Sequence, residues 1–422
     1  MKKYIYYMIG LFLILSGCKK IENAPVDTVD ARLNEKMTQY ETQLVSSQFG
    51  WKGYLLADTN KTEFFTFSFN NMNRVVMSAN YKTGTPESSY RLKALQLPTL
   101  IFDSYSLLHL YADPDPSVIG GKPGQGYKSD FEFGIVSASA DTIHLVGLTS
   151  KSKLTLVRAT ANTTMKNMTD EYAALEGNFT RFRTYFKRVK IGETDCEVTI
   201  DPKTKIFSLQ FLDGTTLKKT SRKYYISGTT ISFFTPLDVG KIKIYSIIGV
   251  DFNAASGFVS AQVNGNEVQI KEAIAPLQYN KVDAAKFLLP HDWRGKGLFM
   301  LSQWMCIQQG FTEDGIPDAY GLTKSGIYYI HYNVADDLFG LKGAFTNASN
   351  YSSMMESTVS ADGILFNKLI SIKGTNNKAA QKAAIDQTQT TFTDPNGFYA
   401  IPTGDGYDLV SFGDARRWIS FN

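Results

Sequence analysis

Apolar and polar residues alternate through most of this chain, and the alternation lapses at a few short helical stretches. Phe65, Phe67 and Phe69 alternate with Thr66 and Ser68, the period-two pattern of a strand with one buried face. Asn70-Asn71-Met72-Asn73 reads as a turn, and residues 74–79 as the returning strand. The same patterning predicts strands at residues 90–95, 99–105, 130–137, 142–148 and 153–159. A hairpin follows at residues 197–200 and 206–211, across the turn Asp201-Pro202-Lys203-Thr204. Asp213-Gly214, Ser227-Gly228 and Asn264-Gly265 mark later turns.

Helical spacing interrupts this pattern at intervals. Val29, Leu33, Met37, Tyr40 and Leu44 fall on one face of a helix over residues 29–46, with Asp27 and Thr28 as caps. Residues 165–175 form a second candidate, stopped by Gly177, with strand patterning resuming at Phe179-Thr180-Arg181-Phe182. Residues 283–289 form a third, stopped by Pro290, and residues 381–385 a short insertion. One plan thus recurs three times: a helix, an aromatic beside glycine, then a β meander. Its openings are Gly50-Trp51-Lys52-Gly53, Gly177-Asn178-Phe179 and Trp293-Arg294-Gly295. The expected fold class is mainly β, two or three consecutive antiparallel barrel-like or sandwich-like domains with short seam helices.

The first residues carry a different pattern. Lys2 and Lys3 precede an apolar run from Tyr4 to Leu15, the length of a signal core and too short to span a bilayer. Leu15-Ser16-Gly17-Cys18 then reads as the cleavage and acylation signal of a bacterial lipoprotein, with Cys18 as the lipidated residue. Lipid on Cys18 supplies about 0.8 kcal/mol of membrane affinity per buried CH₂, so two or three acyl chains hold the protein firmly. The expected organisation is a signal peptide (1–17), a tether (18–28) and a helix with a first β domain (29–164). A linker helix with a second β domain (165–277) and a third β domain (281–422) complete it.

Composition sharpens this reading in three respects. The 23 Tyr and 28 Phe favour strands over helices. The net charge of +4 falls to about +2 without Lys2 and Lys3, so no global field steers a polyanion. Export permits disulfides, but Cys196 and Cys306 sit inside strand-like runs and read as buried thiols.

Candidate chemistry is sparse. His109, His144, His291 and His331 are scattered, with no HExxH and no CxxC, so the patterned zinc sites are missing. No Gly-x-Ser-x-Gly is present, no cysteine stands in a protease context, and no catalytic residue is assigned. Calcium is the metal the carboxylates suit best. Asp113 and Asp115 lie near a loop of glycines, and Glu313, Asp314 and Asp318 surround Gly315 and Pro317. Neither loop has EF-hand spacing, and acidic Gly-rich loops are more often solvated turns. The basic stretch of Arg181, Arg183, Lys187, Arg188 and Lys190 reads as the wet face of amphipathic strands, and export argues against a nucleic-acid partner.

Several stretches carry a family resemblance. They are Gly50-Trp51-Lys52-Gly53-Tyr54, residues 92–103, residues 109–116 and Ser129-Asp130-Phe131-Glu132-Phe133. Over residues 28–275 the chain resembles the uncharacterised bacterial lipoproteins grouped as domain of unknown function 4302. The resemblance implies a Bacteroidota-type envelope and an accessory role beside a TonB-dependent transporter in nutrient uptake. It implies an outer-membrane location and brings no catalytic residue. Acidic residues just after the cysteine often signal surface export there. Lys19-Lys20-Ile21-Glu22 departs from that, so the periplasmic and cell-surface faces both stay open. The expected function is a membrane-anchored binding or accessory lipoprotein. A surface hydrolase of peptides or glycans and a structural or adhesion protein are the alternatives.

Overall fold

The computed structural model describes residues 26–289, 303–311, 327–333, 338–343, 351–373, 389–390, 392–404 and 406–421. The chain divides into two compact units, one ending at Asn167 and the other beginning at Met168.

In the first unit, helix α1 (Val26–Val45) leads into an eight-stranded meander. Its strands are β1 (Trp51–Leu56), β2 (Thr62–Phe69), β3 (Arg74–Ala79), β4 (Glu87–Ala94), β5 (Pro98–Phe102), β6 (Glu132–Ala138), β7 (Thr142–Gly147) and β8 (Lys153–Arg158). Every neighbouring pair is antiparallel. The ladder from Trp51↔Arg158 to Leu56↔Lys153 joins β1 to β8 and closes a barrel. Closure removes both sheet edges.

An eight-stranded barrel is just wide enough for side chains to fill it. Here Trp51, Leu55, Phe65, Phe67, Phe69, Phe102 and Phe133 are buried in one core. Gly53 makes room for them: a Cβ on it would lie 2.3 Å from the Phe67 ring. Helix α1 covers one end. Leu44 joins the core, Tyr40 and Val45 pack against it, and the Trp51 indole donates to the Leu44 carbonyl at 2.9 Å.

The second unit holds two further meanders. Helix α4 (Met165–Thr180) begins at the unit boundary and precedes β9 (Phe186–Ile191), β10 (Thr194–Asp201), β11 (Ile206–Asp213), β12 (Thr216–Ser227), β13 (Thr230–Val239), β14 (Ile242–Asn253), β15 (Phe258–Val263) and β16 (Asn266–Ala273). Pairing of β16 with β9 closes this barrel. A short helix, α5 (Asp283–Phe287), precedes the third set. Its strands are β17 (Gln303–Phe311), β18 (Ile327–Asn333), β19 (Leu338–Gly343), β20 (Tyr351–Val359), β21 (Leu365–Lys373), β22 (Phe398–Pro402), β23 (Tyr407–Ser411) and β24 (Arg417–Phe421). That sheet closes between β17 and β24, with the single pair Leu365↔Phe398 joining β21 to β22.

Within this unit the two barrels share a cluster of Phe186, Ile364, Tyr399, Val410 and Ala415. The Tyr185 amide donates to the Ala415 carbonyl at 2.7 Å, and its phenol to Asp408.

The structure corrects the sequence reading at the second helix. Gly177 does not stop it, and Phe179 and Thr180 are helical rather than extended. Met168, Tyr172, Leu175 and Phe179 form its buried face, so the helical period runs past the glycine. A helical glycine costs about 1 kcal/mol against alanine, less than the roughly 3 kcal/mol gained by burying a phenylalanine. The first strand of this barrel therefore starts at Phe186, and Gly177-Asn178-Phe179 is no strand opening. Strand β5 ends at Phe102, and two short helices follow where residues 99–105 suggested a longer strand. The opening at Trp293 and the insertion at 381–385 lie outside the described residues.

Candidate functional site

The end of the first barrel opposite α1 is covered by an unusually long connection. Residues 103–131 join β5 to β6, whereas the longest other turn of that meander is residues 80–86. Long ordered connections of this kind are commonly functional. This one contains α2 (Leu107–Ala112) and α3 (Pro116–Ile119).

Local chemistry folds the connection. Ser106 and His109 form a reciprocal cap at the start of α2. Asp113 accepts the Asp115 amide at 2.9 Å, and Asp115 accepts the Ser117 amide at 2.9 Å at the start of α3. Gly126 has φ of 55°, and a Cβ there would lie 2.5 Å from the Asp113 carbonyl oxygen. A side chain at 126 is thus excluded by backbone crossing backbone.

The inner side of this lid closes the barrel. Leu107, Leu108 and Tyr111 are buried against the core. The Tyr111 phenol donates to Glu63 at 3.0 Å, and the Asn80 amide donates to the other Glu63 oxygen at 2.7 Å. Tyr127 stacks on Tyr111 with centroids 4.7 Å apart, and the Lys61 ammonium lies 4.2 Å from the Tyr127 centroid. Burial holds the Glu63 carboxyl above the usual carboxylate range, against the opposing hydrogen bonds from Asn80 and Tyr111. Burial and the nearby Glu63 charge likewise hold the Tyr81 and Tyr111 phenols far above their ordinary value.

The outer side carries three rings. Tyr105 is 63% exposed and Phe131 38% exposed. His109 lies between them, 4.0 Å from the Phe131 centroid at 18° and 5.9 Å from the Tyr105 centroid. The Tyr105 phenol donates to Asp113 Oδ2 at 2.8 Å. The His109 Nδ1 accepts the Ser106 amide at 3.3 Å, which places the ring proton on Nε2. Burial lowers the His109 pKa, with the Asp103 charge opposing. Asp103 is itself paired with Arg91 at 3.1 Å. His109 and Phe131 cover one face of each other, which leaves Tyr105 as the most exposed ring, and the flanking carboxylates accept hydrogen bonds.

The sequence-designated residues fall in different places. Asp113 and Asp115 lie in the lid, where they accept the Tyr105 phenol and backbone amides. Glu313, Asp314, Asp318 and Cys18 lie outside the described residues. No group of three His, Cys, Asp or Glu residues able to hold a metal occurs among the described residues. Asp130, near the C-terminal end of the lid, is buried beneath the turn from Leu148 to Ser152. Its carboxylate accepts the amides of Thr149, Ser150 and Ser152 and the Ser152 hydroxyl.

Cys196 is a free, buried thiol pushed up to about 12 by desolvation. In the basic stretch, Lys187 is lowered by burial and donates to the Tyr185 carbonyl, and Arg188 donates to the Ala275 carbonyl at 2.9 Å. These two are half-buried, not the wet face that alternation suggested; Arg188 is held by the segment after β16. The sequence reading missed Tyr105, His109 and Phe131 as a group. The aromatic content of the long interval between β5 and β6 was the available signal.

A family described as domain of unknown function (DUF4302) has a model that matches residues 23–250. The match spans the first barrel and ends inside β14. No curated protein matches the chain. Among solved structures, the octameric penicillin-binding protein homologue from Pyrococcus abyssi is 13% identical with a TM-score of 0.16, over 39% of this chain and 45% of that one. The chain thus spans under half of that structure's length. The Helicobacter pylori beta clamp in complex with 3,4-difluorobenzamide is 8% identical with a TM-score of 0.14, over 92% of this chain and 96% of that one. Both scores fall far below those of a shared fold.

Proposed function

As this chain belongs to the DUF4302 family, we propose that it is a membrane-anchored cell-envelope lipoprotein, a non-catalytic binding or accessory component of nutrient uptake. The observation that carries this reading is the construction of the first barrel. Its interior is packed with side chains, and its long lid is ordered with three rings on the outer side. A barrel filled in this way presents a surface instead of enclosing a ligand. The N-terminal pattern of Lys2, Lys3, an apolar run and Leu15-Ser16-Gly17-Cys18 supports the anchor. The transporter partner rests on the resemblance of residues 28–275.

Metabolic labelling with a palmitate analogue tests the anchor, and pulldown from solubilised membranes tests the partner. Labelled wild type, unlabelled Cys18→Ala and a co-purifying TonB-dependent transporter are expected. Label retained by Cys18→Ala sinks the anchor, and a pulldown without a transporter removes the accessory role.

A further inference from the structure

We propose that the exposed Tyr105–His109–Phe131 ring stack is a binding platform for a neutral glycan. This deepens the binding role proposed above and rests on it. Three observations lead there.

The first is exposure without structural need. Closure of the barrel end is accomplished by Leu107, Leu108 and Tyr111 on the lid's inner side. Tyr105 at 63% and Phe131 at 38% remain in water on the other side. Aromatic side chains gain a great deal from burial, so a group of them left exposed on an ordered lid marks a contact surface.

The second is preorganisation. The Tyr105 phenol is tied to Asp113, and Asp113 is held by the Asp115 amide. His109 is fixed by the reciprocal cap with Ser106 and by its stack on Phe131. The Phe131 carbonyl accepts the Phe102 amide at 3.0 Å, which ties that ring's backbone to β5. The rings are therefore placed before any ligand arrives, and ordering costs on binding are small.

The third is the charge around the rings. Asp103, Asp113 and Asp115 repel phosphates, sulfates and uronic acids. Asp103 is paired with Arg91, and Asp113 accepts two hydrogen bonds, which leaves acceptor capacity on both carboxylates. The matching ligand has an apolar C–H face to lie on a ring and hydroxyls to donate to carboxylate oxygens. A pyranose has both. The Arg91 guanidinium adds donors in a planar fork for sugar oxygens.

The test uses the full-length mature protein in detergent. Maltohexaose, cellohexaose, xylohexaose and mannohexaose serve as neutral probes, with hexagalacturonate and choline as charged ones. Saturation-transfer NMR detects binding, and titration gives affinities. At least one neutral hexasaccharide is expected to bind. Tyr105→Ala and Phe131→Ala should each weaken it about tenfold, or about 1.4 kcal/mol. The similarly exposed Tyr245→Ala on β14 should leave it unchanged.

Tyr105→Phe keeps the ring and removes its tie to Asp113. It should weaken binding by a smaller factor with the melting temperature unchanged, which keeps the test sharp if Phe131→Ala folds poorly. Binding of no neutral probe, binding of only a charged probe, or full affinity in Tyr105→Ala overturns the platform. A transporter that co-purifies with a chain blind to glycans would overturn the platform and leave the accessory role standing. Failed lipid labelling with intact glycan binding would do the reverse.

Discussion

Glu63 brings a carboxylate into the closed end of the first barrel, where the Tyr111 phenol and the Asn80 amide donate to it. Desolvation raises its pKa above the ordinary 4.5. The folded state therefore binds this proton more tightly than the unfolded state. Below 4.5 both states are protonated and the full benefit is present; it is lost as pH rises through the folded pKa. Stability of the wild type relative to Glu63→Gln should thus fall as pH rises from about 4.5 towards neutrality. Urea denaturation of both proteins across that range measures it, and a rising or flat difference would count against the buried-carboxylate account. Asp113 and Asp115 make a second case at this scale. Their oxygens accept the Tyr105 phenol and two backbone amides, so the expectation is that calcium leaves the melting temperature unchanged. A calcium-dependent rise that vanishes in Asp115→Asn would instead establish a cation site in the lid.

Helix α4 shows how an element overrides a local signal. Gly177 has no neighbouring atom within 4 Å of an added Cβ, and its φ is not positive. Gly177→Ala should therefore stabilise the protein by about 0.5–1 kcal/mol, through the unfolded chain's entropy and helix propensity. Chemical denaturation reads this directly, and a destabilised variant would mean that Gly177 is not helical. Phe179 explains why the sequence misled here: an apolar residue just after glycine fits a new strand as well as a continuing helix. What settled it was a partner distant in sequence, Phe207, whose ring centroid lies 6.3 Å away. Strands fared better. Phe65, Phe67 and Phe69 were legible because period-two alternation needs only a buried and an exposed face. The helices α2 and α3 were not, since α2 has six residues and α3 four, too short for periodicity to register.

At the scale of the molecule, one plan of helix and closed eight-stranded meander occurs three times among the described residues. Each barrel carries its own hydrogen-bonded closure, so proteolysis should first strike the polar segment between β8 and α4. Thr160, Ala161, Asn162 and Thr164 are exposed there. Limited digestion by a broad-specificity protease should release a fragment ending near these residues, with α4 retained on the second barrel. Glu176 accepts Lys205 at 2.7 Å and the Tyr224 phenol, and Glu171 accepts the Gly228 amide at 2.8 Å, which tie the helix down. Early cleavage inside α4 would contradict that arrangement, and hydrogen exchange should show the helix protected.

Alternation and turn residues by themselves determined that this chain is mainly β, antiparallel and segmented by helices, because those signals are local and repeat every few residues. The choice between sandwich and barrel required the pairing of Trp51 with Arg158, a contact across the whole first meander that no local pattern encodes. The ring stack needed more still. Tyr105, His109 and Phe131 come together only because α2 turns the chain and β6 returns it beside β5. Individually each reads as an ordinary aromatic residue. Their exposure on one ordered lid is a property of tertiary structure, since burial depends on which side of the lid faces the core.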